Sequence, residues 1–297
     1  MRGKADTNSV DQSLLGRLLT SLPLGLLYGI CAFLIFVVFR ILRIRVQVVR
    51  DNLTRSLPQF DAAGINRIMA QHYSATGQII AEAIAAGSMA PAEIQRRVRF
   101  TSLDLPRSAL ATGKPLLIVG AHQCNWEWIL HALALQLGHP LDVGYKPIRT
   151  AWAERMMFGI RTRFGSHLVP AKELLPDMIR RRKIVRAVAM LADQEPLSAE
   201  KRHWVKFLGR DTAFYLGPEE MARTMKYPAI FVGMRRVRRG SYEIDFQPLA
   251  TPEEALQPGE FTQRYAQRVE AQILADPADW LWSHRRWKLK KTLYGSR

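Results

Sequence analysis

Only two cysteines, Cys31 and Cys124, occur in 297 residues. One lies in an apolar run and the other in a polar motif, so the chain offers no disulfide framework and needs no oxidising compartment. No spacing of Cys and His resembles a structural zinc site, and H-E-x-x-H is missing, so neither a metal nor a cofactor is expected. A G-x-S-x-G serine elbow and a G-x-x-x-x-G-K-[ST] phosphate loop are also missing. Repeats and Gly/Ser-rich linkers are missing too, so residues 46–297 read as one domain behind an N-terminal segment over residues 1–45. Acidic residues are scarce: 26 Asp and Glu face 43 Lys and Arg, a net charge of +17. Such an excess favours anionic partners, whether nucleic acid, acidic phospholipid, phosphorylated substrate or an acidic carrier protein.

What the sequence does contain begins with an uncharged run from Leu22 to Phe39, including LLYGICAFLIFVVF. As a helix it would be ~27 Å long, close to the hydrocarbon thickness of a bilayer. A cleaved signal peptide would end in small residues, whereas this run ends in Arg40, Arg43 and Arg45 with Arg50 and Arg55 beyond, as a retained anchor does. Arg2, Lys4 and Arg17 precede the run. Counting Lys and Arg on the two flanks places the large C-terminal part in the cytoplasm. The expectation is a single-pass membrane protein.

After a helical stretch from Ala62 to Ala86, short apolar runs alternate with amphipathic ones. PLLIVG (115–120), LDVGY (141–145), VRAVAML (185–191), PAIFVGM (228–234) and YEIDF (242–246) read as strands. Trp126–Leu137, Ala151–Arg163, Glu173–Arg182, Pro218–Lys226 and Phe261–Leu274 read as helices. That order predicts an α/β layered domain with a largely parallel sheet, preceded by the N-terminal transmembrane helix. Ligands of such sheets gather at the carboxyl ends of the strands.

GAHQCNWEW (120–128) sits where PLLIVG gives way to a helix, and it places a carboxylate, Glu127, five positions after His122. Transfer of an acyl group to an alcohol needs a base within reach of the hydroxyl, and imidazole suits that work. A carboxylate that fixes the ring tautomer also stabilises the charge the ring gains. Amides at the helix start, around Asn125 and Trp126, would then face the oxyanion. The bland alternative is a histidine that caps a turn and a glutamate that faces water. Cys124 as a covalent nucleophile is a weaker reading than a small half-buried thiol.

His122–Glu127 resembles the H-x4-[DE] motif of the late (secondary) lipid A acyltransferases, the lauroyl and myristoyl transferases of Gram-negative bacteria. RDNLTRSLP (50–58), GYKP (144–147), LADQEP (191–196), KFLGRDTAFYLGPEEMARTMKYPAIFV (206–232) and DPADWLWSHRRWK (276–288) are similar to further signatures of that family. The resemblance implies that His122 is the general base and Glu127 its charge partner. It implies substrate contacts from Arg163, with Arg161 competing for the same role, and from Asp193 and Gln194 at a strand end. Tyr145, Lys146, Gly217 and Pro218 are further candidates. It also implies an acyl carrier protein as donor, and a lipid A precursor or other membrane lipid as acceptor. Two departures stand beside the site: Gln123 and the pair Glu195–Pro196 occupy places where many relatives carry an aromatic residue.

The basic runs IRRRK (179–183), RRVRR (235–239) and RRWKLKK (285–291) explain much of the charge. A solvated surface is the ordinary fate of such runs; contact with an anionic membrane surface, a phosphorylated sugar or a carrier protein is the functional reading. Nucleic acid is not the expected partner, because of the anchor. A non-catalytic binder of anionic membranes, and acyl transfer to another glycolipid, an aminolipid or a pigment precursor, are the alternatives.

Overall fold

The computed structural model describes residues 14–197 and 201–291. Arg2 and Lys4 lie outside the described residues. The chain opens with α1 (Leu14–Ser21) and the apolar α2 (Leu24–Phe36), which runs on through a π-helical turn, Val37–Ile41. The segment Leu24–Ile41 is 18 residues long, with a mean hydropathy of 2.4, and is long and apolar enough to cross a membrane. Leu26, Ile30, Phe33, Leu34 and Phe36 stand exposed along it, while Leu27 and Cys31 pack on Ala81 and Ala85. It closes at a sharp bend where Arg43 and Arg45 take φ of 52° and 58°, a left-handed backbone that non-glycine residues rarely adopt.

Next come α3 (Val46–Ser56) and the long α4 (Ala62–Ala85), whose first turn is capped by the Asp61 carboxylate accepting from the Gly64 amide at 2.7 Å. Then follow α5 (Pro91–Arg97), β1 (Val98–Phe100), α6 (Asp104–Ala111), β2 (Leu116–Gly120), α7 (Trp126–Gln136), β3 (Leu141–Tyr145), α8 (Ala151–Thr162), β4 (His167–Pro170), α9 (Leu174–Arg180) and β5 (Ala187–Leu191). The hairpin β6 (Arg202–Phe207) and β7 (Arg210–Tyr215) precedes α10 (Gly217–Met225). β8 (Ala229–Arg238), β9 (Ser241–Ala250) and α11 (Glu260–Ala275) follow. The hairpin has no counterpart among the expected strands. Its two-residue turn, Leu208–Gly209 at φ of 50° and 73°, has the doubly left-handed form that suits the twist of paired strands.

Seven strands form one sheet in the order β1-β9-β8-β2-β5-β3-β4. β8, β2, β5, β3 and β4 run parallel, while β9 pairs antiparallel to β8 and carries β1 beside it. The expected mixed α/β architecture with a mostly parallel sheet is what the chain adopts. β2 is buried at every position, as a central strand covered on both faces must be. Its side chains alternate: Leu117 and Val119 enter a core with α3, α10 and α11, and Leu116 and Ile118 enter one with α5, α6 and α7. The sheet is therefore the middle of three layers, and the carboxyl ends of its adjacent strands β2, β5 and β3 come out together.

Candidate active site

The residue after β2 begins the turn into α7, and the backbone there is held from three sides. Asn125, fully buried, accepts the Trp128 amide at 3.0 Å and so caps α7, while its own amide donates to the buried Glu82 carboxylate at 2.7 Å. Glu82 also accepts from Tyr242 and, at 2.6 Å, from Tyr28 of α2. Cys124 has φ of 51°, a strained value for a non-glycine residue that is tolerated where surrounding structure over-determines it. Its thiol is fully buried and burial, then the nearby Asp279, pushes its pKa well up. It is thereby kept protonated, a poor nucleophile.

This turn presents His122 to a large cavity. Its Nδ1 lies 2.7 Å from Asp193 Oδ1 and its backbone amide donates to Asp193 Oδ2 at 3.1 Å. Asp193, two residues beyond β5, is 2% exposed and takes a third hydrogen bond from the Trp280 indole at 2.8 Å. Burial by itself would raise the Asp193 carboxyl, but the His122 and Trp280 contacts outweigh it and hold it below the ordinary carboxylate range. An ionised Asp193 places the ring proton on Nδ1 and leaves Nε2 as the free base. Gln194 approaches that nitrogen at 3.3 Å. The ring also packs edge-on against Trp126, 5.2 Å between centroids.

The geometry differs from the expected His122–Glu127 pair. Glu127, on the first turn of α7, gives both carboxylate oxygens to Arg161, at 2.8 and 2.6 Å, and the carboxylate bound to the His122 ring is Asp193. Burial alone would raise the Glu127 carboxyl, but this bidentate contact reverses the effect and keeps it ionised. Arg161 and Glu127 both line the cavity. Arg163 is placed elsewhere: its guanidinium donates to the Ala86 carbonyl at 2.9 Å and to the Met89 carbonyl, tying down the end of α4. Of the two competing arginines, Arg161 is the one at the site.

Tyr145 and Lys146, at the end of β3, line the cavity, together with Gln194. Gly217 and Pro218 are not in its wall. Gly217 instead makes room for Tyr215, whose ring would lie 2.0–2.6 Å from any Cβ added there, and Tyr215 does line the cavity. Lys172 and Glu173 are cavity residues without a counterpart among the expected ones, and Trp126, expected at the site for its place at the helix start, lines the cavity too. Gln123 is buried and turned toward the Gln272 and Asp276 carbonyls, away from the cavity, whereas Glu195 and Pro196 line it. Of the two departures, only the second touches the site.

The cavity measures about 980 Å³, and much of its lining is hydrocarbon, including Ile118, Ile129, Leu130, Leu133, Val143 and Ala189. Charged and hydroxyl-bearing groups line it as well, among them His122, Glu127, Arg161, Tyr145 and Lys146. Such a combination suits a substrate with a long apolar tail and a reactive polar end. Among the described residues one cluster has metal-like spacing, Asp142, His167 and Asp177, but Arg181 and Arg186 already bond its carboxylates.

The profile of the bacterial lipid A biosynthesis acyltransferases matches residues 13–289. The chain belongs to that family. It is similar to the lipid A biosynthesis palmitoleoyltransferase of Escherichia coli (strain K12), with 23% identity over 252 residues that span 84% of this chain and 80% of the relative. It is similar to the same degree, 23% over 252 residues, to a lipid A biosynthesis acyltransferase of Shigella flexneri. Family membership makes this protein an acyltransferase of lipid A biosynthesis, consistent with a place at the inner membrane.

Proposed function

We propose that this acyltransferase moves a fatty acyl chain from acyl carrier protein to a hydroxyl of a lipid A precursor, on the cytoplasmic face of the inner membrane, with His122 as general base. One observation carries the reading: the His122 ring, bonded through Nδ1 to buried Asp193, lines a large cavity with much hydrocarbon in its wall. In the reaction, Nε2 takes the hydroxyl proton as the acceptor oxygen attacks the thioester carbonyl. The C–S bond then breaks and the imidazolium returns the proton to the departing thiolate. Asp193 stabilises the imidazolium in between. The amides around Asn125 and Trp126 at the start of α7 face the oxyanion, and Arg161, held flat by Glu127, binds an anionic group of the substrate. Tyr145, Lys146 and Gln194 line the approach.

The carrier protein is favoured over a small thioester donor by the net charge of +17, which complements an acidic protein surface. The same excess favours an anionic membrane surface. The test is transfer in detergent from acyl carrier protein to a lipid A precursor, followed by mass spectrometry. A mass gain of one acyl group that disappears in His122→Ala supports the reading. Undiminished transfer by folded His122→Ala rejects it. Modification of a different glycolipid or an aminolipid, with the precursor untouched, would transfer the mechanism to another acceptor.

A further inference from the structure

The C-terminal signature DPADWLWSHRRWK stands outside the chemistry assigned so far, yet it touches both halves of the site. The Leu281 amide donates to the His122 carbonyl at 3.1 Å, and the Cys124 amide donates to the Asp279 carbonyl at 2.9 Å. Between them Gln123 and Trp280 form an antiparallel bridge. The same segment reaches the strand-end loop of β5: the Glu195 amide donates to His284 Nε2 at 3.1 Å, and the Leu289 amide donates to the Glu195 carboxylate. Trp280 lies at the centre of this clamp, 2% exposed, packed edge-on against Trp282 at 4.7 Å and Phe207 at 5.9 Å. A tryptophan so enclosed has one polar atom to satisfy, and that indole N–H meets Asp193 Oδ2 at 2.8 Å.

We infer that Trp280 is a positioning residue for acyl transfer: its indole N–H fixes the rotation of the Asp193 carboxylate so that the other oxygen faces His122. This rests on the reading of His122 as base. A carboxylate can turn about its last torsion, which is broad and shallow. Two N–H groups on Oδ2, one from the His122 backbone and one from Trp280, leave Oδ1 for the ring. Without the indole, one donor remains on Oδ2. His122 would then meet a carboxylate that wanders, and the tautomer with Nε2 free would be populated only part of the time.

Asp193 has further ionisable neighbours that must be counted. His284 and Arg286 of the C-terminal segment and Tyr265 of α11 interact electrostatically with it. Burial pushes His284 down to about 4 and Arg286 down to about 10, so near neutral pH the first is uncharged and the second cationic. Trp280 itself has no charge to change.

The experiment compares Trp280→Phe with Trp282→Phe in the full-length protein. Trp282 gives its N–H to the Pro277 carbonyl, so its variant removes an equivalent bond from the same segment without touching Asp193. Trp280→Phe keeps a ring in the clamp and is expected to lower kcat about ten- to a hundredfold, the loss typical of one hydrogen bond to a charged group. KM for donor and acceptor should hold. The acid side of its pH profile should move to higher pH, because Asp193 stripped of a donor takes up a proton more readily. Trp282→Phe should lower thermal stability and leave kcat and the profile in place. An unchanged kcat and acid limb in folded Trp280→Phe, with His122→Ala inactive, would overturn this inference alone. Activity in His122→Ala would instead overturn the base assignment beneath it. Equal losses of kcat in the two tryptophan variants, with no movement of the acid limb, would show general packing and would also overturn it.

Discussion

Asp193→Asn is the substitution that most directly separates the pairing seen in the structure from the one expected of H-x4-E. The change keeps size and removes one charge. Asp193 accepts three hydrogen bonds, from His122 Nδ1, the His122 amide and Trp280. An asparagine has one acceptor oxygen, so its NH2 must meet at least one of those donors or force the His122 proton to Nε2, the nitrogen proposed here as the base. Loss of a hydrogen bond to a charged group costs about 1.5–3 kcal/mol, and the reversed tautomer adds to it. A total of about 3–5 kcal/mol corresponds to a loss of 10²–10⁴ in kcat. Single-turnover transfer from pre-formed acyl carrier protein reads the chemical step without product release. Turnover of Asp193→Asn within about threefold of the parent, with His122→Ala inactive, would refute the pairing. Stability offers a second check with a definite sign. The Asp193 carboxyl is lowered from its ordinary 3.8 in the folded state. Its contribution is thus complete above that unfolded value and is lost as pH falls from there through the lower folded value. Acid unfolding of Asp193→Asn should lack that component.

Glu127 and Arg161 form a nearly enclosed pair at 2.6 Å, so either alanine variant leaves a charge unpaired and should cost about 3–5 kcal/mol in denaturant unfolding. The double variant should cost far less than the sum; additivity would show that the two act separately. Arg163→Ala, which frees the Ala86 and Met89 carbonyls, should lower Tm while turnover per folded molecule stays at the parent value, and a selective rise in KM would restore it to the substrate site. Transfer from acyl carrier protein should slow as salt rises past the point where screening shortens to about 8 Å; rates insensitive to salt count against a basic docking surface. Ala189→Leu fills part of the apolar wall and should shift the product toward shorter chains, with unchanged chain length as the contrary result.

Much of the framework was legible in the residues themselves. LLIVG and AVAML carry no polar side chain, and a strand covered on both faces leaves that trace without any knowledge of its neighbours. The run before Arg40 declared its apolar helix by length and hydropathy alone, for the same local reason. His122 was legible because a polar residue at the end of a buried strand, just ahead of a helix start, already occupies the ligand-binding edge of a parallel sheet. The hairpin at Leu208–Gly209 escaped because its strands mix charged and apolar residues and its turn lacks the usual Asn-Gly signal.

The composition of the site was decided in three dimensions. Asp193 lies 71 residues from His122, and only the pairing of β2 with β5 brings the two strand ends side by side. Glu127, close in sequence, is carried onto the first turn of α7 and is claimed there by Arg161. The choice between Arg161 and Arg163 turns on helix phase: two residues on a helix are about 200° apart, so one faces the cavity and the other faces the end of α4, and composition does not set that phase. Tryptophan 280 entered the site by the same rule, since a hydrogen bond between groups 87 residues apart is a property of packing. Local sequence determines which segments become strands and helices through short-range sterics and burial pattern. Which charges meet at their ends depends on strand order and helix rotation, and these are fixed when the whole core packs.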